Sequence, residues 1–391
     1  MKLNVAVFFG GESCEHEISC ISANQVLHAL DSEKYEVTPI YVAKNMDLYT
    51  GDELWDLSNY YDLNALCSKL KKVSLVKDNN TVYIKPVKTS LFEKNFPTID
   101  VAFLVMHGTN GEDGTLQGYM EMLKLPYTSS DILGSAIGQD KAIMKIVLQS
   151  GNIPMTPWFY FLYADFEKNN ELYIKKANEI GYPLIIKPAN LGSSIGIEIA
   201  HDEEEFIKKV REASKYDFKL VVEKMIEDLK EVNISVLGNV YDTKLSAIEE
   251  VMKNAEILNF ENKYLGNGKG SKTKMPTKGS KGMASTSRKV PASLSDNQES
   301  EVRKYALESF KLLNASGCVR IDFLIDNKNS KVYVNEINSI PGSLAFYLWQ
   351  EVGMDFSKEC DELIKYALKR YHEKEKKTYS FETNILSNFR R

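Results

Sequence analysis

Cysteine is scarce and scattered in this sequence. Its five cysteines are an odd number, and no two of them have CxxC spacing: Cys14, Cys20, Cys67, Cys318 and Cys360. Zinc sites use closely spaced pairs, and small disulfide-stapled domains use an even, dense set. The sequence therefore suggests neither a zinc site nor a disulfide framework, and it predicts reduced, mostly buried thiols.

Long apolar runs and an excess of positive charge are also missing. No stretch approaches the roughly 20 apolar residues of a membrane helix, and the apolar run at residues 5–9 is too short for a secretory signal. The formal net charge of −5 argues against a general nucleic-acid binder, which usually has a basic surface. We therefore expect a cytoplasmic protein that binds neither membranes nor nucleic acid.

The chain is too long for a single core. With 391 residues, two or three domains are expected, since a domain commonly has about 100–200 residues. Buried-strand patterns at residues 5–9, 35–42 and 101–106 alternate with helical patterns, and two of them end in glycine-containing turns. This succession predicts a parallel, doubly wound N-terminal sheet, with a surface hairpin over residues 73–86.

After about residue 130 the pattern becomes mixed α+β. The predicted division is residues 1–129 for an N-terminal domain, 130–222 for a central domain and 223–391 for a C-terminal domain. Residues 266–289 stand apart, because they contain seven Lys and Arg side chains, no acid and almost no large apolar residue. Such a segment cannot form a core, so we expect a flexible lid loop there.

A lysine closes one buried strand and is followed by a loop of small residues. The run that starts at Lys187 reads KPANLGSSIG. Glycine lets backbone N–H groups approach phosphate oxygens, serine adds donors, and lysine adds a point charge. Because the lysine precedes the glycines, the loop lacks Walker A spacing. On its own, the run favours a phosphate site and an ordinary turn equally.

Two later strands have polar side chains at alternate positions. Arg320 and Asp322 share one face of the first strand, and Glu336 shares one face of the second with Asn338. If the strands pair, Asp322, Glu336 and Asn338 form an oxygen cluster suited to Mg²⁺ with substrate phosphates. Two solvated strand faces are the alternative. Apolar neighbours such as Ile321 indicate burial, and buried like charges need a cation or a proton, so metal binding is favoured.

Three further runs are candidates for ligand contacts. Polar turns follow strands at residues 10–17 (GGESCEHE) and 107–114 (HGTNGEDG), where open α/β sheets bind ligands. Neither has GxGxxG spacing, which argues against a dehydrogenase. Residues 223–231 have the mixture of groups that an adenine and a ribose need, although a plain edge strand is the better explanation of that run taken alone.

Together these runs resemble D-alanine–D-alanine ligases, a family of the ATP-grasp superfamily. The likeness covers nearly the whole chain in order and spacing, through residues 10–22, 107–121, 140–145, 187–196 and 320–342. The GGxSxEHExS and HGxxGEDGxLQG runs are highly specific to that family. The resemblance implies an α/β (α+β) protein, with a Rossmann-like N-terminal domain before an ATP-grasp fold that holds ATP between two antiparallel sheets.

The resemblance also implies roles for matching residues. Those at ATP-binding positions are Lys141, Lys187, Ser193, Glu223, Met225, Ile226, Glu231 and Lys263. The lysines would bind phosphates, residues 223–226 adenine, and Glu231 ribose. Those at metal positions, for two Mg²⁺ ions or for Mn²⁺, are Asp322, Glu336 and Asn338. Those at catalytic positions are Glu15, Ser193, Tyr264, Arg320 and Gly342.

The implied reaction has two steps and serves peptidoglycan precursor synthesis. Glu15 would hold the ammonium of the first D-alanine, with His107 nearby, and Ser193 and Tyr264 would link Glu15 to the flexible loop. The carboxylate of that D-alanine would attack the γ-phosphate of ATP and become an acyl phosphate. The amine of the second D-alanine would then attack the acyl phosphate and expel phosphate. Arg320 and the Gly342 amide would stabilise the oxyanion. A homodimer is also implied.

Two departures from the family concern the second amino acid. Tyr347 stands where the family has a serine that hydrogen-bonds the acceptor carboxylate, and the basic segment 266–289 is longer than expected. A ligase that joins D-alanine to a different amino or hydroxy acid therefore remains an alternative. A non-catalytic nucleotide sensor is a second one, but a sensor would be expected to have lost metal carboxylates or phosphate lysines, and all are present.

Overall fold

The structure, a computed structural model, describes residues 2–88, 95–252, 288–380 and 384. Lys263, Tyr264 and residues 266–287 of the predicted lid loop lie outside this part of the chain. Among the described helices, none combines the length and the hydropathy that crossing a membrane requires.

The N-terminal sheet has seven strands in the order β6-β5-β4-β3-β2-β1-β7. The strands are β1 Leu3–Gly10, β2 Tyr35–Val42, β3 Leu48–Thr50, β4 Lys71–Asp78, β5 Thr81–Pro86, β6 Thr98–Ile99 and β7 Val101–Leu104. The predicted parallel core is β2-β1-β7, in which β1 is parallel to both neighbours and its residues 5–9 are almost fully buried. The predicted hairpin β4-β5 extends the same sheet through antiparallel pairs.

Helices follow the strands of this sheet where the glycine turns end. The first of them, His16–Ala29, packs against β1. The other helices before the middle sheet are Leu63–Lys69, Thr115–Leu123, Ile132–Gln139 and Lys141–Ser150. Asp140 caps the last of these by accepting the amides of Ala142 and Ile143, which fixes Lys141 at its first turn.

The middle sheet is antiparallel and has four strands in the order β10-β9-β11-β8. They are β8 Trp158–Leu162, β9 Leu184–Pro188, β10 Glu198–Ala200 and β11 Lys219–Lys224. The helices of this region are Tyr163–Lys168, Asn170–Ile180 and Glu203–Ala213. Phe161, Phe166 and Phe206 form the centre of their shared core.

The C-terminal sheet is antiparallel and has five strands in the order β14-β13-β12-β15-β16. They are β12 Leu229–Gly238, β13 Thr243–Val251, β14 Arg288–Lys289, β15 Gly317–Asp326 and β16 Lys331–Asn338. The helices are Asp296–Leu312, Phe346–Gln350 and Phe356–Glu375. The strand pair predicted around residues 319–337 is β15-β16. The last two residues of the predicted lid segment form β14 and pair with β13.

Two helices share cores across the predicted domain boundaries. Leu363 and Ile364 of helix Phe356–Glu375 are buried in the core of the N-terminal sheet. Met144 and Leu148 of helix Lys141–Ser150 are buried in the core of the C-terminal sheet. Ala142 of the second helix also packs against Val221 of the middle sheet. Apolar contacts therefore tie the three sheets together, and the division at residues 129 and 222 stays a prediction.

Candidate active site

Three lysines and two glutamates lie together where the middle and C-terminal sheets meet. Lys187, near the end of β9, lies 3.1 Å from Glu223 Oε1 on the neighbouring strand β11. Lys145, one helical turn after Lys141, lies 3.4 Å from Glu223 Oε2 and is fully buried. Burial opposes ionisation of Glu223, but the two lysine charges outweigh it and lower its pKa to about 2. Glu223 is therefore an ionised anchor for two cations.

Lys141 connects this group to the C-terminal sheet. Its Nζ donates to the Leu191 carbonyl at 2.6 Å and lies 4.0 Å from Glu336 Oε2. Burial lowers the pKa of Lys141, although the nearby Glu336 charge opposes that shift. Lys187 reaches the same sheet by donating to Asn335 Oδ1 at 3.0 Å. The structure thus brings Lys141 and Lys187, two of the three predicted phosphate lysines, to strand β16, on which the predicted metal residues Glu336 and Asn338 lie.

The small-residue loop after β9 turns toward the N-terminal domain. Ser193 and Ser194 have φ of +55° and +61°, in the left-handed region that L-residues seldom adopt. The Ser193 hydroxyl donates a short hydrogen bond to Glu15 Oε1. A Cβ added at Gly192 would lie 3.3 Å from Glu15 Oε2. The loop and the turn at residues 10–17 therefore meet at Glu15, as the predicted Glu15–Ser193 connection requires.

An acidic row crosses the C-terminal sheet. Asn233 on β12 is directly opposite Glu249 on one side and Asp322 on the other, and Asp322 is opposite Glu336. Asn338 Nδ2 donates to Asp322 Oδ2 at 3.2 Å. The predicted pairing of the two strands is confirmed. Asp322, Glu336 and Asn338 supply two carboxylates and an amide oxygen. Among the described residues, including this row, no three His, Cys, Asp or Glu side chains are grouped so that they could hold a metal.

Arg320 holds Asp322 in a bidentate pair. Its Nε donates to Oδ1 at 2.7 Å and its Nη2 to Oδ2 at 2.8 Å. This is the planar fork geometry in which guanidinium–carboxylate pairs are strongest. Arg320 is thereby fixed beside the acidic row, with its charge close to the predicted reacting groups.

Glu112 is a buried acid close to Glu15. Its Oε2 accepts the Gly108 amide at 2.8 Å, and its Oε1 accepts the Ile340 amide at 2.7 Å. Burial and the Glu15 charge raise the pKa of Glu112 to about 7, against the effect of these donors. Gly108 has a φ of +69°, and a Cβ there would lie 2.9 Å from Glu15 Oε2. A side chain at position 108 would strain the backbone and displace the Glu15 carboxylate, so glycine suits this approach of the two turns.

His107 joins the N-terminal domain to residues 340–343. Its Nδ1 lies 2.8 Å from the Ile340 carbonyl oxygen, so Nδ1 carries the proton. Its Nε2 lies 2.8 Å from Ser22 Oγ, which accepts the Ser343 amide at 2.8 Å. Burial lowers the pKa of His107, which keeps the ring neutral. Both ring nitrogens are used inside the protein, so His107 positions the segment beside Gly342.

The segment after Gly342 is strained in a way that the sequence does not signal. Ser343, Leu344 and Ala345 have φ of 52°, 52° and 54°. Left-handed conformations cost about 1–3 kcal/mol at residues other than glycine and persist only where the surroundings enforce them. The Ser22 contact to the Ser343 amide and the Cys318 thiol, which donates to the Leu344 carbonyl at 3.1 Å, supply that enforcement.

Tyr347 belongs to a second polar cluster. Its hydroxyl donates to Glu249 Oε1 at 2.8 Å, and Asn233 Nδ2 donates to the same oxygen at 2.9 Å. The Arg288 guanidinium lies 4.2 Å from the centre of the Tyr347 ring, and its Nη1 lies 3.4 Å from Glu249 Oε2. Burial and the Glu249 charge raise the pKa of the Tyr347 hydroxyl well above its usual range. Glu249, Arg288 and Tyr347 are called the acceptor-end cluster below.

The predicted adenine and ribose residues lie at the start of the C-terminal sheet. Met225 follows β11 and donates its amide to the Pro183 carbonyl at 3.1 Å. Ile226 is buried beside it, and Glu231 lies on β12 on the same face as Asn233. The structure therefore places this run at the edge of the lysine group, with the Glu223 side chain facing the lysines.

Sequence reasoning missed Lys145, Glu249 and Arg288 as members of the site. Lys145 lies four residues after Lys141 on one helix, so helical spacing could have suggested it. Glu249 and Arg288 become neighbours of Tyr347 only through the register of β13 and β14. No local pattern carries that information.

Chain-wide similarity to known proteins agrees with this geometry. The families described as D-ala D-ala ligase N-terminus and C-terminus match residues 4–130 and 147–365. D-alanine–D-alanine ligase of Thermosipho melanesiensis is 40% identical over 387 residues, covering 98% of each chain. The structure of D-alanine–D-alanine ligase from Coxiella burnetii is similar with a TM-score of 0.79 at 28% identity, covering 96% of each chain.

A ligand-bound structure is also similar. The D-alanine–D-alanine ligase from Bacillus anthracis complexed with ATP has a TM-score of 0.66 and 25% identity, and the match covers 95% of this chain and 99% of that one.

Proposed function

Because the chain belongs to the D-alanine–D-alanine ligase family, we propose that it joins two D-alanine molecules to D-alanyl-D-alanine, forms ADP and supplies peptidoglycan precursors. The observation that carries this proposal is the approach of the lysine group to the acidic row, with Lys141 Nζ 4.0 Å from Glu336 Oε2. A triphosphate needs the cations, and a metal that travels with it needs the carboxylates.

Lys141 and Lys187 would bind the ATP phosphates, with Ser193 and the loop amides beside them. Ile226 and the backbone near Met225 would hold adenine, and Glu231 the ribose. We assign the Glu223 carboxylate to positioning, because Lys145 and Lys187 already pair with it. Lys263 keeps its predicted phosphate role from the family resemblance and lies outside the described residues.

Asp322, Glu336 and Asn338 fit a magnesium site by their chemistry. All three present hard oxygen donors, and a carboxylate oxygen that accepts a hydrogen bond retains a lone pair for a cation. We propose that they hold two Mg²⁺ ions, or Mn²⁺. When bound, the metal would neutralise charge on the transferring phosphate. Arg320 keeps Asp322 in a fixed orientation for that contact.

Glu15 would bind the ammonium of the first D-alanine. Ser193 donates to one Glu15 oxygen, which orients the carboxylate. The substrate carboxylate then attacks the γ-phosphorus and ADP leaves, which gives an acyl phosphate. The amine of the second D-alanine attacks the acyl carbon and loses a proton, and phosphate leaves. Arg320 and the Gly342 amide would stabilise the tetrahedral oxyanion.

The precise positioning of residues 340–343 matters to this last step. His107, Ser22 and Glu112 hold that segment through side-chain contacts to its backbone. Fixed donors stabilise developing charge without reorganising, which is why such networks accelerate reactions. His107 would therefore contribute through Gly342. Tyr264, the predicted link between Glu15 and the lid, lies outside the described residues. A homodimer remains a prediction of the family resemblance, and a cytoplasmic location remains a prediction of the apolar pattern of the sequence.

Phosphate release tests the proposal directly. Purified protein with ATP, Mg²⁺ and D-alanine should release phosphate, and mass spectrometry should detect the dipeptide. Parallel reactions that add D-serine or D-lactate test the alternative of another acceptor, which the tyrosine at position 347 keeps open. Phosphate release only with a mixed pair would establish that alternative. Nucleotide binding without turnover of any pair would instead indicate a sensor.

A further inference from the structure

The acceptor-end cluster places a cation where the second amino acid would bind. We propose that Arg288 binds the carboxylate of the acceptor substrate, and that the Tyr347 ring holds the guanidinium in place. The inference rests on the proposed function and deepens it by naming the group that recognises the acceptor. It predicts an acceptor with a free carboxylate, whichever nucleophile that molecule carries.

The Tyr347 hydroxyl already donates its proton to another side chain of the protein. A phenol has one proton to donate, and Tyr347 gives it to Glu249 at 2.8 Å. To bind a substrate carboxylate, this hydroxyl would have to leave a buried acid that is 3% exposed. Two carboxylates cannot share one phenolic proton without repulsion. The contact that the family makes through serine therefore needs another donor in this chain.

Arg288 has the chemistry for that contact. A guanidinium has five N–H donors in a plane, and the Glu249 carboxylate lies 3.4 Å from one of its nitrogens, Nη1. It binds carboxylates through two parallel hydrogen bonds and stays charged at any working pH. Stacking on the Tyr347 ring at 4.2 Å restricts its rotation, so less side-chain entropy is lost when a carboxylate binds.

Glu249 keeps both hydrogen bonds to its Oε1 when a second carboxylate arrives. Its Oε1 accepts from both Tyr347 and Asn233, which keeps the acid in place independently of Arg288. Glu249 can thus orient the guanidinium from one side while the substrate approaches from another. The Arg288 side chain is 17% exposed, which leaves it reachable, whereas the Glu249 side chain is 3% exposed.

The cluster lies at a suitable distance from the reacting groups. Glu249 and Asp322 are separated by one strand, β12, which places them roughly 10 Å apart at about 4.8 Å per strand. Arg320, the predicted oxyanion residue, interacts electrostatically with both Tyr347 and Glu249. A small α-amino acid bound through its carboxylate at Arg288 would direct its amine back along the sheet toward Arg320.

Competition between two acceptors tests the inference. D-alanine and D-alaninamide are offered together with ATP and Mg²⁺, and the two products are separated by mass. Only D-alanine can be the donor, because the amide has no carboxylate to phosphorylate, so the product ratio reports acceptor choice alone. The wild type should prefer D-alanine. Arg288→Met should reduce that preference by roughly tenfold to a hundredfold, because a hydrogen bond between charged groups is lost. The KM for ATP should not change.

Three variants make the result specific. Arg211→Met removes an exposed arginine from helix Glu203–Ala213 and should keep the wild-type preference. Arg288→Lys should retain part of the preference for D-alanine, since lysine keeps the positive charge but lacks the two parallel donors of a guanidinium. If Arg288→Met fails to fold because Glu249 is left without its cation, the double variant with Glu249→Gln removes both charges and should show the same loss.

Two outcomes would overturn the inference. A preference for D-alanine that survives in folded Arg288→Met, or in the double variant, would remove Arg288 from carboxylate recognition. A loss of preference in Tyr347→Phe that exceeds the loss in Arg288→Met would assign the contact to the hydroxyl. Absence of phosphate release by the wild type with ATP and D-alanine would instead overturn the proposed function. The wild type is measured first, so this outcome is distinguished from a failure of the inference about Arg288.

Discussion

The lysine group and the Glu15 region hold buried charge in opposite ways. Around Glu223, three lysines face two carboxylates, and the ions lie 3.1–4.0 Å from one another. Around Glu15, two acids, Glu15 and Glu112, lie close together, and neither has a lysine or arginine ion pair among the described residues. Serine hydroxyls and backbone amides hold those acids instead. One end has a surplus of cations and the other a surplus of acids.

Each surplus is complementary to a proposed ligand. The polyphosphate of ATP would complete the lysine group, and the ammonium of D-alanine would complete the acidic pair. At both ends the charged form of a buried group is disfavoured before the ligand binds. Burial lowers the pKa of Lys141 at one end and raises the pKa of Glu112 at the other. A fixed surplus of charge that a ligand neutralises is the electrostatic preorganisation on which such sites depend.

The acidic row should show the largest effect of substitution. Glu336→Gln removes the charge opposite Lys141 and Asp322 while preserving size. We expect kcat to fall by about a thousandfold, the upper part of the range for one preorganised electrostatic group. Thermal unfolding should change little. Glu204→Gln, at an exposed position on a helix of the middle region, is the matched control. Near-normal turnover of folded Glu336→Gln would remove this residue from the site.

A crossed pair of variants tests whether the two ends bind different ligands. Lys187→Met should raise the KM for ATP by roughly tenfold to a hundredfold, because a charged contact to phosphate is lost, and should leave the KM for the first D-alanine nearly constant. Glu15→Gln should do the reverse. The measurements are initial rates with each substrate varied in turn. If either variant raised both constants equally, the division of the site into two charge-matched ends would be wrong.

Alternation along strands made the acidic row predictable. Asp322, Glu336 and Asn338 could be placed together because the polar positions recur every second residue in two adjacent apolar strands. The parallel core β2-β1-β7 followed from its apolar runs and glycine turns in the same way. These are local periodicities, so a single sequence contains them.

The acceptor-end cluster could not be predicted in this manner. Tyr347 and Glu249 are 98 residues apart, and their contact depends on the register of β13 and on where helix Phe346–Gln350 packs. Register is set by sheet pairing and packing, and it cannot be read from the residues of either segment alone. The left-handed conformation of residues 343–345 could not be predicted for a related reason. None of the three residues is glycine, and the conformation is enforced by contacts from Ser22 and Cys318, which are distant in sequence.

The raised pKa of Glu112 predicts a pH dependence of stability. Between about pH 4.3, where an unfolded glutamate titrates, and about pH 7, the folded protein keeps a proton that the unfolded chain has released. The contribution of Glu112 is therefore most favourable at low pH and declines as the pH rises to about 7. Across this window, the free energy of unfolding of the wild type minus that of Glu112→Gln should fall by up to about 3 kcal/mol.

Urea unfolding at pH 5, 6, 7 and 8 measures this difference. Glu112→Gln has its own constant cost, since an amide NH₂ must face the Gly108 or Ile340 amide. A constant offset does not alter the slope with pH. Parallel curves for the two proteins would show that Glu112 titrates at its ordinary pKa.

The smallest expected effect belongs to Tyr347→Phe. The substitution removes one hydrogen bond to Glu249 Oε1, but Asn233 still donates to that oxygen and the ring still lies under Arg288. The loss should be about 1 kcal/mol in the free energy of unfolding. The KM for the acceptor should rise by about threefold or less, because the proposed carboxylate contact belongs to Arg288. A rise of tenfold or more would mean that the hydroxyl itself contacts the substrate.

Tyr347→Ser further separates a role of the Tyr347 hydroxyl from a role of its ring. It restores the hydroxyl residue that the family uses, yet it removes the ring beneath Arg288. If the ring is what matters, the serine variant should have the weaker acceptor binding of the two. If the hydroxyl matters, serine should outperform phenylalanine.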